Sequence, residues 1–317
     1  MNKKKIFIDV FVIIILFVLF VLWYENRYGD IVLTSSSMND YTVYLITTEK
    51  ADDFGKTVNQ GASDMAKLLG LDYKWVAPQE RNSDEQITIF NNAVSAGADA
   101  IMISAIDPAK ISEAIKDAKT AGVKIVYIDS PANEDGIITL ATDDYEAGVT
   151  SGENMINELG EVGIKSGSIG IVNVSKKDMD YMNLEKGFRD AIKADGRFIL
   201  LDTKYTMGNE TIAREASEAF INDNPDLVGL FGTNENITLS IGNAIKNSKK
   251  PIIGIGYKST AAIREMIKAG YIKAVMVENP YTMGYLGMAE ALAALKEYGI
   301  DTSYIDTGIK VITEFSH

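Results

Sequence analysis

The sequence predicts an α/β protein of two doubly wound lobes, each built on a parallel sheet, with one transmembrane helix before them. Three features support this prediction. Short apolar runs alternate with helical segments from residue 41 onward, as in parallel strands covered by helices on both faces. The alternation forms two series, which divide near residue 143. A separate, continuous apolar run fills residues 6–24.

The apolar run of residues 6–24 predicts a membrane anchor. As a helix it would span about 28 Å at ~1.5 Å per residue, close to the ~30 Å hydrocarbon core of a bilayer. Three lysines precede it, aromatic residues end it, and no small-residue cleavage site follows closely. We therefore expect an uncleaved anchor in residues 1–24 and a tether in residues 25–40. The lysines would keep the N-terminus in the cytoplasm, with both lobes outside the cell membrane.

Composition excludes several kinds of chemistry. The 317-residue chain has a formal net charge of −13, which provides no basic surface for nucleic acid. It has no cysteine, which excludes disulfides, thiolate metal sites and cysteine nucleophiles. Its one histidine, His317, is the last residue, a poor position for a catalytic triad or a metal site. We expect no catalytic residues, no metal and no cofactor.

A short internal repeat predicts how the sheets are built. The segments AGADAIMIS and AGVKIVYID begin at Ala96 and Ala121, and each places a glycine at a helix end before a buried strand. In parallel sheets ligands bind at the carboxyl ends of the strands, so we expect a cleft between two facing lobes. The other predicted strands are 41–47, 72–77, 168–174, 198–203, 227–232, 252–256 and 272–278, with helices between them that include 53–69 and 84–96.

Five segments carry a family resemblance, and they occur in the family's order along the chain. They are DDFGKTVNQGASDMAKLLG (52–70), NAVSAGADAIMISAIDPAKISEAIKDAKTAGVKIVYIDS (92–130), FGTNENITLSIGNAI (231–245), VENPYTMGYLGMAEAL (277–292) and DTGIKVITE (306–314). With them the chain resembles the type I periplasmic binding proteins, such as the ribose- and xylose-binding proteins, and the effector domains of lactose-repressor-type regulators. The resemblance covers nearly all of residues 41–315.

The resemblance implies two lobes joined by a hinge of three crossings, near residues 141–143, 277–279 and 304–306. The implied N-terminal lobe is 41–141 with 279–303, and the implied C-terminal lobe is 142–278 with 304–317. Hinged closure around a ligand would be the working motion.

The resemblance also implies which residues line the cleft. Phe54 would stack on a sugar ring, while carboxylates would accept hydrogen bonds from hydroxyls and amides would both donate and accept. For Asn234 the competing interpretation is helix capping, and for Asp129 it is helix capping or solvation at the surface. For Glu278 it is hydrogen bonding in the hinge, and for Phe54 it is packing in the core or under a lid. The implied ligand-binding residues are Phe54, Ser104, Asp129, Thr142, Tyr181, Asn183, Asn234, Tyr257 and Glu278.

Several positions depart from the family's sugar-binding pattern. Ser130 stands where many members have arginine, Gly256 where many have aspartate, and Gly55 where a second aromatic residue often occurs. The segment 178–183 also lacks the usual arginine. These differences imply a less charged pocket. The resemblance therefore does not choose among four ligand classes: a pentose, another sugar, a sugar alcohol and a small signalling molecule. We interpret Asp107-Pro108 and the pair at 143–144 as helix starts.

The function implied is capture of a small ligand, above all a sugar, outside the cytoplasm for an ABC permease. A membrane-tethered receptor that signals to a histidine kinase is the alternative, because a tether raises the effective concentration beside a membrane partner. A transcriptional regulator is disfavoured by the apolar N-terminus. A glycosidase is disfavoured because the candidate carboxylates stand singly at strand ends.

Overall fold

The computed structural model describes residues 40–299 and 302–316. The predicted anchor and all of the tether except its last residue lie outside that range. No helix among the described residues combines the length and the apolar character needed to cross a membrane.

The described chain alternates strands and helices almost throughout, as the sequence predicts. The elements are β1 (Thr42–Ile46), α1 (Asp53–Leu69), β2 (Asp72–Val76), α2 (Ser83–Ser95), β3 (Ala100–Ile103), α3 (Pro108–Thr120), β4 (Lys124–Ile128), β5 (Ile138–Ala141), α4 (Asp144–Glu161), β6 (Gly167–Asn173), α5 (Met179–Asp195), β7 (Phe198–Leu200), β8 (Lys204–Tyr205), α6 (Glu210–Asp223), β9 (Leu227–Gly232), α7 (Glu235–Ser248), β10 (Ile253–Tyr257), α8 (Ala261–Lys268), β11 (Ala274–Glu278), α9 (Pro280–Leu295), β12 (Tyr304–Asp306) and β13 (Ile309–Ile312).

These strands form two sheets, one in each lobe. The first has the order β12-β5-β4-β3-β1-β2, and all its pairings are parallel. The second has the order β13-β11-β10-β9-β6-β7, with β8 also paired to β6. Its pairings are parallel except for β13, which runs antiparallel to β11. The predicted α/β fold with parallel sheets is confirmed.

Each sheet has an apolar core on both faces, because successive side chains of a strand point to opposite faces. In β4, Val126 and Ile128 belong to one buried cluster, whereas Ile125 and Tyr127 belong to another. Two further clusters cover the two faces of the second sheet. Continuous apolar strands are therefore required here, and this explains why the strand sequences do not alternate with polar residues.

The repeat at residues 96–129 forms two successive helix ends of the same kind. Gly97 and Gly122 follow α2 and α3 with φ angles of 83° and 96°, a left-handed conformation that glycine adopts without strain. Asp107 caps α3 by accepting hydrogen bonds from the backbone N–H groups of residues 109 and 110, and Pro108 occupies the first turn. Both predictions from the sequence, the repeated unit and the helix start, are confirmed.

One expected boundary between the lobes is wrong. Residues 304–306 were expected in the C-terminal lobe, but they form β12 in the first sheet, where they pair with β5. The strand is only three residues long and half exposed, so hydrophobicity does not reveal it. The chain crosses to the second sheet at residues 307–308 instead. The predicted strand 198–203 is likewise shorter in the structure, where β7 ends at residue 200 and β8 begins at 204.

Hydrogen bonds join the first and third crossings between the sheets. The backbone N–H of Thr307 donates to the carbonyl of Ala141 at 2.9 Å. Oδ1 of Asp306 accepts from the backbone N–H groups of Asp143, at 3.0 Å, and of Gly308, at 2.9 Å. Gly308 has a φ of 71°, which lets the chain turn there without a steric penalty. Two strands of the hinge are thus held side by side.

Glycines allow a close helix contact in each lobe. A Cβ on Gly61 of α1 would lie 2.1 Å from the carbonyl oxygen of Tyr281 in α9, and one on Gly284 would lie 2.0 Å from that of Val58. The contact between α4 and α5 is built in the same way around Gly148 and Gly187. Both pairs of helices therefore approach at backbone distance, and any side chain there would separate them.

We expect Gly61→Ala to destabilise the protein, because its methyl group collides with rigid backbone; overpacking of this kind costs about 1–3 kcal/mol or more. Gly160→Ala is the matched control, since nothing lies within 4 Å of a Cβ at that position of α4. The control should raise stability by up to ~1 kcal/mol, because alanine favours helix over glycine. Urea unfolding midpoints measure both, and a shift of the two variants in the same direction would contradict the close contact.

Candidate functional site

The carboxyl ends of the two sheets carry the polar residues that the sequence singled out. Ser104, Asp129 and Thr142 follow β3, β4 and β5 of the first lobe. In the second lobe Asn234 follows β9, and Tyr257 and Glu278 end β10 and β11. The charges of Asp129 and Glu278 act on each other between the lobes. The structure therefore brings strand-end groups of both lobes to one cleft.

Asp129 is held in an uncommon backbone conformation at the end of β4. Its φ is 64°, and its N–H donates to the carbonyl of Leu140 at 2.8 Å. Ser130 Oγ donates to Asp129 Oδ2 at 3.3 Å. Burial raises the pKa of Asp129, as does the charge of Glu278, whereas the charge of Lys258 lowers it. Hydrogen-bond donors on a ligand would stabilise the ionised form of a carboxylate that water reaches so poorly.

Glu278 is the centre of a polar group on the second lobe. Its carboxylate is largely buried, with 15% of the side chain exposed, and its Oε1 accepts from the hydroxyl of Tyr257 at 3.4 Å. Burial raises the pKa of Tyr257 well above its ordinary value, and Glu278 adds to this shift, so the phenol stays a hydrogen-bond donor. The Nζ of Lys258 lies 3.5 Å from the same oxygen.

Lys258 is a cleft residue that the sequence analysis missed. Burial lowers the pKa of its ammonium, but the charges of Glu278, Asp129 and Tyr181 and the hydrogen bond to Glu278 together raise it, so the net shift is upward and the ammonium stays charged. The position directly after β10 was the available signal, because that is where ligands bind in such sheets. The prediction included Tyr257 but not the lysine one residue further on.

Asp144 and Asp180 also face this group, and neither was predicted. The pair at 143–144 was interpreted as a helix start, and Asp143 does cap α4 through Oδ1. Asp144, the residue after this cap, has an unusual acidity. Burial, together with the charges of Asp180, Glu278 and Asp129, raises its pKa to about 8. The cleft therefore holds more carboxyl groups than we expected from Ser130 and Gly256, which stand where many family members have charged residues.

Tyr181 and Asn234 lie beside each other in the second lobe. Burial raises the pKa of the Tyr181 hydroxyl, and the neighbouring Asn234 side chain opposes that shift. Asn234 also caps α7, where its Oδ1 accepts from the N–H of Ile237 at 2.9 Å. Capping occupies the oxygen and orients the amide. Asn183 is half-buried on α5, and within the described chain no hydrogen bond of its side chain joins it to the cleft group.

The remaining predicted residues contribute less directly. Phe54 is half-buried at the start of α1 and packs against the core of the first lobe. Ser104 is buried, and its carbonyl accepts from Nε2 of Gln86 at 2.9 Å. Thr142 is 8% exposed, and its Oγ1 has no hydrogen-bond partner among the described residues. A buried hydroxyl without a partner is costly, so a ligand atom there would stabilise the protein.

A buried hydrogen-bond network supports the second lobe beneath the cleft. Nδ2 of Asn173 donates to Oε2 of Glu185 at 2.8 Å and to the carbonyl of Tyr181 at 3.1 Å. Oδ1 of Asn173 accepts from Thr233, the residue before Asn234, at 2.7 Å. Burial raises the pKa of Glu185, but hydrogen bonds from Thr203, Arg189 and Asn173 lower it by more, and the net shift is downward. Sequence reasoning missed the network, because its members are scattered along the chain.

Hydrogen-bond donors and acceptors are thus concentrated at one cleft. Carboxylates on the two lobes accept hydrogen bonds, while the lysine, the tyrosine hydroxyls and the asparagine amide donate them. Among the described residues no cluster of three or more histidine, aspartate or glutamate side chains has the arrangement of a metal site. The fold and the cleft define a two-lobed ligand-binding protein.

The chain belongs to the family described as periplasmic binding protein domain, which matches residues 43–299. The D-apiose import binding protein of Paraburkholderia graminis is 23% identical over 269 residues, which cover 84% of this chain and 81% of that protein. The family resemblance expected from the sequence is confirmed.

Solved structures show the same fold. AraP, an arabinose-binding protein of Geobacillus stearothermophilus, superposes with a TM-score of 0.79 at 24% identity, covering 87% of this chain and 97% of that one. A mutant XylFII–LytSN complex contains a chain with a TM-score of 0.77 at 21% identity, covering 87% of this chain and 98% of that one. At these identities the likeness establishes the fold alone.

The raised pKa of Asp144 makes stability depend on pH. A carboxyl with a pKa of about 8 when folded and 3.8 when unfolded binds its proton more tightly in the folded protein. The resulting stabilisation is fully present below the unfolded pKa and is lost as the pH rises through about 8. We expect Asp144→Asn to raise the melting temperature relative to wild type more near pH 8.5 than near pH 5.

Glu146→Gln is the matched control, because it removes an exposed carboxylate from the same turn of α4. The difference in melting temperature between Glu146→Gln and wild type should change little between pH 5 and pH 8.5. Equal pH dependence of the two variants would show that Asp144 is ordinarily solvated.

Proposed function

We propose that this protein captures a small uncharged polyhydroxylated ligand, above all a sugar, between its two lobes and releases it unchanged. The observation that carries the proposal is the cleft itself. Asp129 of the first lobe and Glu278 of the second are close enough to influence each other, and hydrogen-bond donors stand beside them. Such a set matches hydroxyl groups, which both donate and accept.

The partner that we propose is an ABC permease, to which the closed lobes present the sugar. Membership of a solute-binding family and similarity to import binding proteins support this assignment. Closure must follow from a higher affinity of the sugar for the closed form. The cleft groups come from both lobes, so a ligand that contacts all of them is held fully only when the lobes meet.

A tethered receptor that signals to a histidine kinase is the second candidate. The apolar run at residues 6–24 favours it, as does the likeness to a chain of the XylFII–LytSN complex. A strain that lacks this protein separates the two roles. Loss of radiolabelled sugar uptake supports transport, whereas normal uptake with loss of sugar-induced transcription supports sensing.

We also propose that residues 6–24 hold the lobes on the outer face of the cell membrane, with the N-terminal lysines inside. Their length and apolar character support this location. Protease added to intact cells should remove the lobes while a short N-terminal fragment stays in the membrane. Release of the whole chain into the medium would contradict the tether.

Binding can be measured on the full-length chain in detergent, with melting followed by intrinsic fluorescence. The probes are D-ribose, D-xylose, L-arabinose, D-galactose and xylitol, with D-galacturonate as an anionic comparison. A ligand that binds only the folded state stabilises it by about 2.7 kcal/mol at 100 times its dissociation constant. We expect one neutral probe to raise the melting temperature and to be recovered unchanged.

Asp129→Asn and Asn234→Ala should remove most of this thermal shift, since each deletes a cleft group. Asp117→Asn is the matched control, because Asp117 is exposed on α3, away from the strand ends. It should keep the full shift. No shift with any probe, from folded protein, would overturn the sugar assignment, and chemical conversion of a bound probe would overturn the binding-only role.

A further inference from the structure

Lys258 is the one cationic donor named among the cleft groups, and its backbone is held in an unusual conformation. It is the first residue after β10, at the carboxyl edge of the second sheet. Its φ is 66°, a left-handed conformation that is uncommon for a residue with a side chain, and its N–H donates to the carbonyl of Met276 at 2.8 Å. Backbone strain of this kind occurs often at functional sites, where the surrounding structure maintains it.

The ammonium of Lys258 has more N–H donors than the described residues provide acceptors for. Its Nζ lies 3.5 Å from Oε1 of Glu278, which also accepts from Tyr257. An ammonium carries three N–H donors, and no other acceptor is hydrogen-bonded to it within the part of the chain that the structure describes. The side chain is 51% exposed, whereas that of Glu278 is 15% exposed. Glu278 therefore anchors one side of the ammonium, and solvent or a ligand can reach the other.

The charge of Lys258 influences carboxyl groups of both lobes. It acts on Asp129, which belongs to the first lobe, and on Asp144 and Asp180, which belong to the second. Lys258 therefore stands among carboxylates that arrive from several elements. Arg81 is the other cation whose charge reaches Asp129.

This balance of charge restricts the ligand. Acidic groups outnumber the basic ones around the cleft, so a ligand carboxylate or phosphate would lie among carboxyl groups and would be repelled by each one that is ionised. A neutral polyol meets no such repulsion. Two adjacent hydroxyls fit best, because one oxygen can accept from an ammonium while the other hydroxyl donates to a carboxylate.

We propose that Lys258 contacts the ligand and determines specificity: its ammonium donates to one oxygen of a vicinal diol whose other hydroxyl donates to Asp129. The inference rests on the proposed function and makes it more specific. Lys258 and Asp129 approach the diol from opposite lobes, so the diol joins the two lobes in the closed protein.

The test measures dissociation constants by calorimetry for the full-length wild type and for Lys258→Met. The probes are the neutral sugar of the panel that binds most tightly and its monodeoxy analogues, each lacking one hydroxyl. We expect Lys258→Met to weaken binding of the parent sugar tenfold or more, as is usual for loss of a hydrogen bond from a charged donor. Lys116→Met, an exposed lysine of α3, is the control with the same loss of charge and should bind as wild type does.

The deoxy analogues separate contact with the ligand from a merely structural role. One analogue should bind the wild type at least tenfold more weakly than the parent sugar, yet differ from it less than threefold on Lys258→Met. A lysine that only neutralises Glu278 would instead weaken the parent and every analogue by one common factor, and that result overturns the inference. Lys258→Gln repeats the measurement if the methionine variant does not fold.

Other outcomes are equally decisive. If wild type binds a sugar and Lys258→Met binds it as tightly, the inference fails while the proposed function stands. If wild type binds no probe of the panel, the sugar assignment fails and this inference fails with it. Tighter binding of D-galacturonate than of D-galactose would contradict the repulsion argued from the acidic groups.

Discussion

The common direction of the strands is the constraint on which the site depends. A parallel sheet places the carboxyl ends of its strands on one edge, and the last residues of β3, β4 and β5 therefore lie together whatever their separation in the sequence. The second sheet does the same for β9, β10 and β11. Once the two edges face each other, a cleft lined by strand ends follows without any further specification of side chains.

The hinge keeps those edges opposed. Asp306 joins the first and third crossings by accepting from Asp143 and Gly308, and Thr307 adds a backbone bond to Ala141. These contacts use backbone groups and one short side chain, so they restrain the crossing strands without filling the cleft. Glycine-mediated contacts between α1 and α9, and between α4 and α5, make each lobe a tightly packed body that can move as a unit.

Electrostatics gives the cleft its chemical character. Carboxyl groups that are withdrawn from water and placed near one another become harder to ionise, which is why the pKa values of Asp129 and Asp144 are raised. Lys258 offsets part of this cost because its charge lowers those same pKa values. The hydroxyl of Thr142, which has no hydrogen-bond partner among the residues that the structure describes, adds a further unsatisfied group. Hydrogen-bond donors and acceptors on a ligand would satisfy groups that the protein leaves incomplete, and binding and closure are thereby coupled.

The sequence by itself determined the fold class, because apolar runs of strand length, glycines at helix ends and caps such as Asp107 are local signals with local causes. Through the family resemblance it also implied Asp129, Tyr257 and Glu278 as cleft residues, and the structure places them at the carboxyl ends of β4, β10 and β11. It did not reveal β12, a short and largely exposed strand, because its partner β5 is distant in the chain: Tyr304 pairs with Thr139, 165 residues earlier. Nor did it reveal Lys258, which stands in no recognised motif, or Asp144, which was interpreted as part of a helix start. Only the tertiary structure decided their role, since the energy of a charge depends on its burial and on its neighbours, and those neighbours come from distant parts of the chain.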